Sequence, residues 1–399
     1  MSTATTVEPL NREPGNLRSY MWKTPTVLIL IVLLLLALGI VMLASTSGIK
    51  AVELYDDPNY FFKRQALWLL IAVVVGALAC KIDYHRWRPL ALVCLVASAG
   101  LLALVLVPGI GAKIGGSRRW FHLGILSVQP SELAKFSLIL VLAWWMAREK
   151  WHVREFWRGA VAPLVIIGLV AGLIFIEPDF GTALLCGVVG LAILYAGGTR
   201  TAYLAVFAVI GFSGFVAAVM RDPVRMNRIV AFLNPEQYAQ TYSFQLLSAI
   251  NAFIAGGPMG VGLGGSIQKH YYLPEAHTDF IFAIIGEELG VAATLAVVLM
   301  FAGLFVCGLR ISLRAPDTFG RILAFGITLM ITLQAVINIG VVIGLLPTKG
   351  LPLPFISAGG SSLIISLLEI GVLYNIALHA HGRVGTAETQ AIKDRVHRF

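Results

Sequence analysis

Residues 25–45 read PTVLILIVLLLLALGIVMLAS, an uninterrupted run without a single charge. The hydrocarbon core of a bilayer is about 30 Å thick and a helix rises about 1.5 Å per residue, so roughly 20 apolar residues span it. This stretch therefore predicts a membrane-spanning helix. It is too long for the apolar core of a signal peptide. The polar residues before it, with Glu8, Pro9, Glu13 and Pro14, are expected to stay with the mature chain as a tail, 1–22.

Working outward, similar runs recur at 65–81, 89–107, 131–147, 159–176, 180–197, 201–220, 279–309, 322–346 and 361–379. The expectation is an all-α integral membrane protein of about ten transmembrane helices. One membrane domain, 23–380, would carry a long outer loop, 221–279, between the seventh and eighth helices and be followed by a tail, 381–399. Composition agrees: of 399 residues 58% are hydrophobic and 13% charged, with a mean hydropathy of +0.84. Soluble domains carry about 25% charged residues, which excludes a soluble globular fold.

The net charge of +9 does not imply a nucleic-acid partner, because Lys and Arg fall in short clusters between apolar runs rather than on one face. They read as topology signals. With both termini inside, the inner segments hold eighteen basic residues and the outer ones eleven, with Lys135 inside a run. The positive-inside rule then places both termini in the cytoplasm. Cys80, Cys94, Cys186 and Cys307 sit in apolar runs without paired spacing, so neither a disulfide framework nor a zinc site is expected.

The outer segments are the unusual ones, rich in Gly, Pro, Trp and acidic residues, and function concentrates on such loops. Within 221–279 the apolar stretch Phe244 to Ile254 reads as an interfacial or re-entrant helix. The glycines from Gly256 to Gly265 after it read as a flexible connector. Asp279, where this loop enters the next span, suits two roles. It can cap the helix, or it can act beside Glu275 and His277 as a proton acceptor at the membrane boundary.

Glu287 and Glu288 follow roughly 12–14 Å along the same helix, a depth at which carboxylates face a bundle interior or polar cavity. Lys135 is a candidate partner for them, and it also stands i,i+3 from Glu132. Arg118 and Arg119 beside Trp120 offer planar guanidinium groups suited to phosphate. The turn Glu177-Pro178-Asp179 brings two carboxylates close enough to help hold a divalent cation such as Mg or Mn. Pro347-Thr348-Lys349-Gly350 adds a rigid outer segment with one cation. Walker spacing is absent, so no nucleotide is expected.

Several segments together resemble the SEDS family (shape, elongation, division and sporulation). They are Gly116-Ser117-Arg118-Arg119-Trp120, Gln129 to Lys135, Glu177 to Thr182, Tyr272 to Gly290 and Leu346 to Ser362, in family order across most of the chain. Glu275 to Phe280 and Leu346 to Gly350 are more similar to the division members than to the elongation members. Ala358 stands where the family pattern has Tyr, a departure that removes no ionisable group.

The resemblance implies an inverting glycosyltransferase that joins lipid II into β-1,4-linked glycan at the outer face of the inner membrane. It implies Asp279 as the base, and Arg118, Arg119, Lys269 and Lys349 as candidate holders of the pyrophosphate. Glu275 and His277 would be substrate neighbours of unassigned role. Glu132, Lys135, Glu287 and Glu288 would shape the cavity. The implied partners are a class B penicillin-binding protein and other division-complex membrane proteins. A lipid II flippase or other lipid transporter, an elongation-type polymerase and a recruiting scaffold are the competing readings.

Overall fold

The computed structural model describes residues 15–114, 117–123, 126–148, 152–269 and 277–396. In chain order the helices are α1 (Gly15–Tyr55), α2 (Tyr60–Lys81), α3 (Ala91–Val105), α4 (Pro130–Arg148), α5 (Ala162–Ile176) and α6 (Phe180–Ala196). They continue with α7 (Thr201–Arg221), α8 (Pro223–Leu233), α9 (Phe244–Gly256), α10 (Ile281–Arg314), α11 (Thr318–Val342) and α12 (Gly360–Val396). A π-helical turn, Phe156–Val161, leads into α5.

Among the described residues, eight helices are long and apolar enough to cross a membrane: α1 over Thr24–Ser47, α2, α4, the π turn with α5, α7, α10, α11 and α12 over Gly360–Ala380. The expected spans at 89–107 and 180–197 are α3 and α6, which have only 15 and 17 residues. At about 1.5 Å per residue they fall short of the hydrocarbon thickness. Pro108 and Gly109 stop the first run, and Gly198 at φ 96° stops the second, since neither residue type continues a helix readily.

Two further differences from the sequence expectation bear on function. The segment between α3 and α4 is a small antiparallel sheet, β1 (Ala112–Ile114), β2 (Ser117–Leu123) and β3 (Leu126–Val128), in that spatial order. The segment 221–279 carries a second helix, α8, before the one expected over 244–254, which is α9.

Burial grades from centre to edge. In the most apolar window of α4, 78% of residues are buried, whereas for α7 the figure is 6%. Helices α4, α11 and α12 therefore form the centre of the bundle and α7 its rim. At the contact of α2 with α12, a Cβ at Gly371 would lie 2.4 Å from the Gly76 carbonyl oxygen. Without lipid-driven sorting of apolar surface, such small-residue contacts are what let membrane helices approach closely.

Helix α10 is broken at Gly290, with φ 77° and ψ −175°. Every residue from Phe280 to Glu288 is buried, while the helix beyond Gly290 alternates buried and exposed positions. Breaking a helix in a membrane bundle frees backbone groups that must find partners inside the protein. The glycine-rich connector supplies them: Val261 N–H donates to the Glu287 carbonyl at 2.9 Å and Gly262 N–H to that of Glu288 at 3.0 Å. In return, Val291 N–H donates to the Gly257 carbonyl at 3.1 Å.

Gly290 occupies backbone space that only glycine populates freely, and a Cβ there would meet the Pro258 carbonyl oxygen at 2.5 Å. Gly290→Ala is expected to cost roughly 1–3 kcal/mol from backbone strain alone, read as a lowered unfolding temperature in detergent. Gly100→Ala is the control, because nothing lies within 4 Å of its added Cβ; it should leave that temperature unchanged or raise it.

Candidate active site

The turn His277 to Phe280 precedes α10, and its three successive carbonyls are each taken by a donor from elsewhere. Ala358 N–H donates to the His277 carbonyl at 3.0 Å. The Ser357 hydroxyl donates to the Thr278 carbonyl at 2.5 Å. The Asn338 amide Nδ2 donates to the Asp279 carbonyl at 2.8 Å and to the Leu351 carbonyl at 2.7 Å. Asn338 is on α11, whereas Ser357 and Ala358 belong to the segment joining α11 to α12, so the turn is stitched to both. The His277 ring is buried and packs 5.2 Å from the Phe61 ring of α2.

The same joining segment is held from the bundle centre. Lys135 on α4 pairs with Glu132 at 3.0 Å and donates to the Gln334 side-chain oxygen at 2.7 Å. Gln334 then donates through Nε2 to the Pro352 carbonyl at 2.8 Å. Both charges are buried, and a buried charge persists only when paired and hydrogen-bonded. The Lys135 ammonium is thus one end of a polar chain that ends on the loop facing Asp279.

Asp279 itself is partly exposed. The N-cap position of α10 falls on Phe280, one residue later, and that cap has no side-chain hydrogen bond. A Cβ at Gly350 would lie 2.7 Å from an Asp279 carboxylate oxygen. The carboxylate therefore rests against the one residue type that leaves it room.

Gly350 also lines a cleft of about 470 Å³. Its basic residues are Arg119 of β2, Arg225 and Arg228 of α8, and Lys349; its acidic residues are Asp179 and Asp222. Phe180, Phe215, Val219, Val224 and Ile229 give it an apolar wall. Arg225 lies 3.1 Å from the Phe180 ring centroid and 3.2 Å from Asp222. The Lys349 ammonium is 5.4 Å from the Phe215 ring centroid, and burial lowers its pKa from the usual ammonium range, against the pull of Asp179. Arg119 donates to the Glu177 carbonyl at 2.9 Å and the Pro178 carbonyl at 2.6 Å.

The sequence candidates divide on this geometry. Arg119, Lys349 and Asp179 line the cleft, with Asp279 against its Gly350 edge. Arg118, paired in strand register with Lys113, is not among the lining residues. Lys269 is committed elsewhere: it pairs with Glu288 at 2.8 Å, with both side chains almost fully buried, and donates to the Gly264 carbonyl at 2.8 Å. Glu288 also accepts from the Ser45 hydroxyl at 2.7 Å. Glu287 accepts from the Ser266 hydroxyl and from Ile267 N–H at 2.9 Å. The partner of Glu288 is thus Lys269, not Lys135, and these groups bind the connector to the broken helix. Glu275 lies outside the described residues.

Arg225 and Arg228 were not among the sequence candidates. Asp222 caps α8, accepting from Val224 N–H at 3.0 Å, with Pro223 at the first helical position. This Asp-Pro start is a recognisable helix signal, and i,i+3 spacing then sets both arginines on one face.

Glu177 and Asp179 do not fit the divalent-cation site expected of them. Asp179 caps α6, accepting from Thr182 N–H at 3.2 Å and the Thr182 hydroxyl at 2.9 Å. Glu177 is fully buried and, among the described residues, neither carboxylate oxygen has a hydrogen-bond partner. Hard cations take six or more oxygen ligands. Among the described residues, no group of three or more His, Cys, Asp or Glu is placed to hold a metal ion.

Burial pushes the Glu177 carboxyl up from 4.5 to about 8, Asp179 adds to the rise, and Arg119 opposes it. The folded chain then holds a proton that the unfolded chain releases above about pH 4.5, so stability falls as pH rises from there to about 8 and levels off beyond. Glu177→Gln is expected to flatten that part of the unfolding-temperature profile and to raise stability at pH 8.5.

Comparisons with known proteins agree with this architecture. The family model for FtsW, RodA and SpoVE, described as a cell cycle protein, matches residues 25–382. The probable peptidoglycan glycosyltransferase FtsW of Trichlorobacter lovleyi is 42% identical over 366 residues, 92% of this chain and 95% of that protein. Stage V sporulation protein E of Bacillus subtilis is 40% identical over 353 residues, 88% of this chain and 96% of its own length.

Among solved structures, a chain of a peptidoglycan synthase complex aligns with a TM-score of 0.73 and 29% identity, covering 88% of this chain and 97% of that one. The rod shape determining protein RodA of Thermus thermophilus aligns with a TM-score of 0.66 and 27% identity, over 88% and 95%. With the model match running through all the helices that build the cleft, the chain belongs to the FtsW/RodA/SpoVE family of polytopic membrane proteins.

Proposed function

We propose that this chain is a peptidoglycan glycosyltransferase that polymerises lipid II during septal wall synthesis, with Asp279 as general base. The observation that carries the reading is a partly exposed carboxylate, pinned by its backbone, at the edge of a cleft holding four cationic side chains. Relatives named as glycosyltransferases support the reaction class.

Lipid II offers groups that match this arrangement: a sugar hydroxyl to deprotonate, a pyrophosphate to stabilise and an isoprenoid to seat on an apolar wall. The Asp279 carboxylate takes the proton from the acceptor's hydroxyl as its oxygen attacks the donor's anomeric carbon. The new glycosidic C–O bond forms while the bond to the pyrophosphate oxygen breaks, with inversion at that carbon. General-base assistance is worth about 10²- to 10⁴-fold.

Negative charge grows on the departing pyrophosphate. Arg119, Arg225, Arg228 and Lys349 meet it in surroundings from which water is partly excluded, where such contacts count for more than in bulk solvent. Phe215, Val219 and Ile229 offer the apolar surface for the first isoprene units. His277 and the Glu132–Lys135 pair act on the shape of the site rather than on the proton.

With α3 and α6 crossing as well as the eight longer helices, the excess of basic residues on the inner segments supports a multi-pass chain with both termini in the cytoplasm and the cleft outside. The likeness to a chain of a peptidoglycan synthase complex supports a class B penicillin-binding protein as partner, within a larger set of division membrane proteins.

Purified full-length chain, with and without that partner, is given lipid II in detergent, where no leaflet separates substrate from product. Glycan polymer is the expected result, with Asp279→Asn slower by about 10²-fold or more and Arg228→Ala lowering kcat/KM about 10- to 100-fold. Lipid II transport across sealed vesicles that survives in Asp279→Asn, with no polymer under any condition, would instead identify a flippase. Partner binding alone would leave a scaffold.

A further inference from the structure

The segment joining α11 to α12 forms one wall of the cleft through Pro347 to Gly350, and the turn carrying Asp279 forms the edge beside it. Two side chains bridge them. Asn338, 1% exposed, uses its one amide nitrogen to reach the Asp279 carbonyl and the Leu351 carbonyl, at 2.8 and 2.7 Å. Ser357, 5% exposed, accepts from Leu353 N–H at 2.8 Å and donates to the Thr278 carbonyl at 2.5 Å. Each closes a link between the backbone that carries the carboxylate and the backbone that carries Lys349.

We infer that Asn338 and Ser357 are positioning residues that hold the Asp279 carboxylate at a fixed distance from Lys349, the cation that the joining segment carries into the cleft. The inference rests on the reading of Asp279 as the base. Its physical content is that the base and Lys349, one of the four cations of the leaving-group site, lie on different, non-helical segments, neither of which sets its own position. A glycosyl transfer needs the hydroxyl poised on one side of the anomeric carbon and the pyrophosphate held on the other, so their spacing governs rate more than binding.

Neither residue touches the reacting atoms. Loss of either bridge loosens the spacing while leaving the cationic side chains in place to bind lipid II. Misplacement of a catalytic group by about 1 Å costs on the order of 100-fold in rate. Asn338→Leu keeps the side-chain size and removes both donor contacts, but it strands two buried carbonyls and tests folding as well. Ser357 offers the cleaner series, because threonine keeps the hydroxyl and alanine removes it.

The experiment measures kcat and KM for lipid II polymerisation by the full-length chain with Ser357→Ala, Ser357→Thr, Asn338→Leu and Asp279→Asn, each normalised to folded protein. The expected result for Ser357→Ala is a fall in kcat of about 10- to 100-fold with KM within about twofold, and for Ser357→Thr a return toward the parent rate. An inactive Asp279→Asn beside a Ser357→Ala of unchanged kcat overturns the positioning role and leaves the base intact. A loss confined to KM, or one that threonine does not rescue, overturns it too. An active Asp279→Asn removes the base reading itself.

Discussion

A peptide carbonyl buried without a donor costs about 1–3 kcal/mol, and inside a membrane bundle water is not there to supply one. A functional cleft between helices nevertheless needs non-helical backbone. In this chain three such places converge: the break at Gly290, the turn His277 to Phe280, and the segment between α11 and α12. Each is made tolerable by a specific donor. Connector amides serve the Gly290 break, Asn338, Ser357 and Ala358 serve the turn, and Gln334 with Asn338 serves the joining segment.

The arrangement explains why charged and amide side chains occupy the most buried helices. Lys135 is oriented by Glu132 and in turn orients Gln334, so an ion pair in the bundle centre fixes a loop at the cleft. Lys269 and Glu288 do the same for the connector and α1, through Ser45. Rigidity follows from satisfied polar chains rather than from apolar packing alone. The peripheral α7, with few buried residues, supplies Phe215 and Val219 to the cleft's apolar side.

Much of this was legible in the sequence, though unevenly. Apolar runs of about 20 residues announce spanning helices because lipid imposes length and composition together. The runs at 89–107 and 180–197 are themselves short, and their helices α3 and α6 have 15 and 17 residues, with Pro108 and Gly198 just beyond their ends. The small sheet left no periodic signature, since its strands are three to seven residues long. Lys269 is a candidate pyrophosphate holder by resemblance, and the glycines before it read as a flexible connector. Their φ angles instead let the connector dock against the broken helix. Asn338 and Gln334 lie inside an apolar run, and their role depends on contacts with residues distant in the chain. The residues alone leave Asp279 between capping and proton transfer, since a carboxylate before a helix has an ordinary capping role, and the family resemblance is what favours chemistry there.

The most direct test of the account is a structure of the full-length chain bound to a lipid II analogue whose pyrophosphate link cannot break, together with an acceptor. The account predicts the acceptor's hydroxyl at about 2.6–3.2 Å from the Asp279 carboxylate, with the pyrophosphate against Arg225, Arg228, Arg119 and Lys349. A pyrophosphate seated away from that cleft, with the hydroxyl beyond reach of Asp279 even through one water, would contradict it.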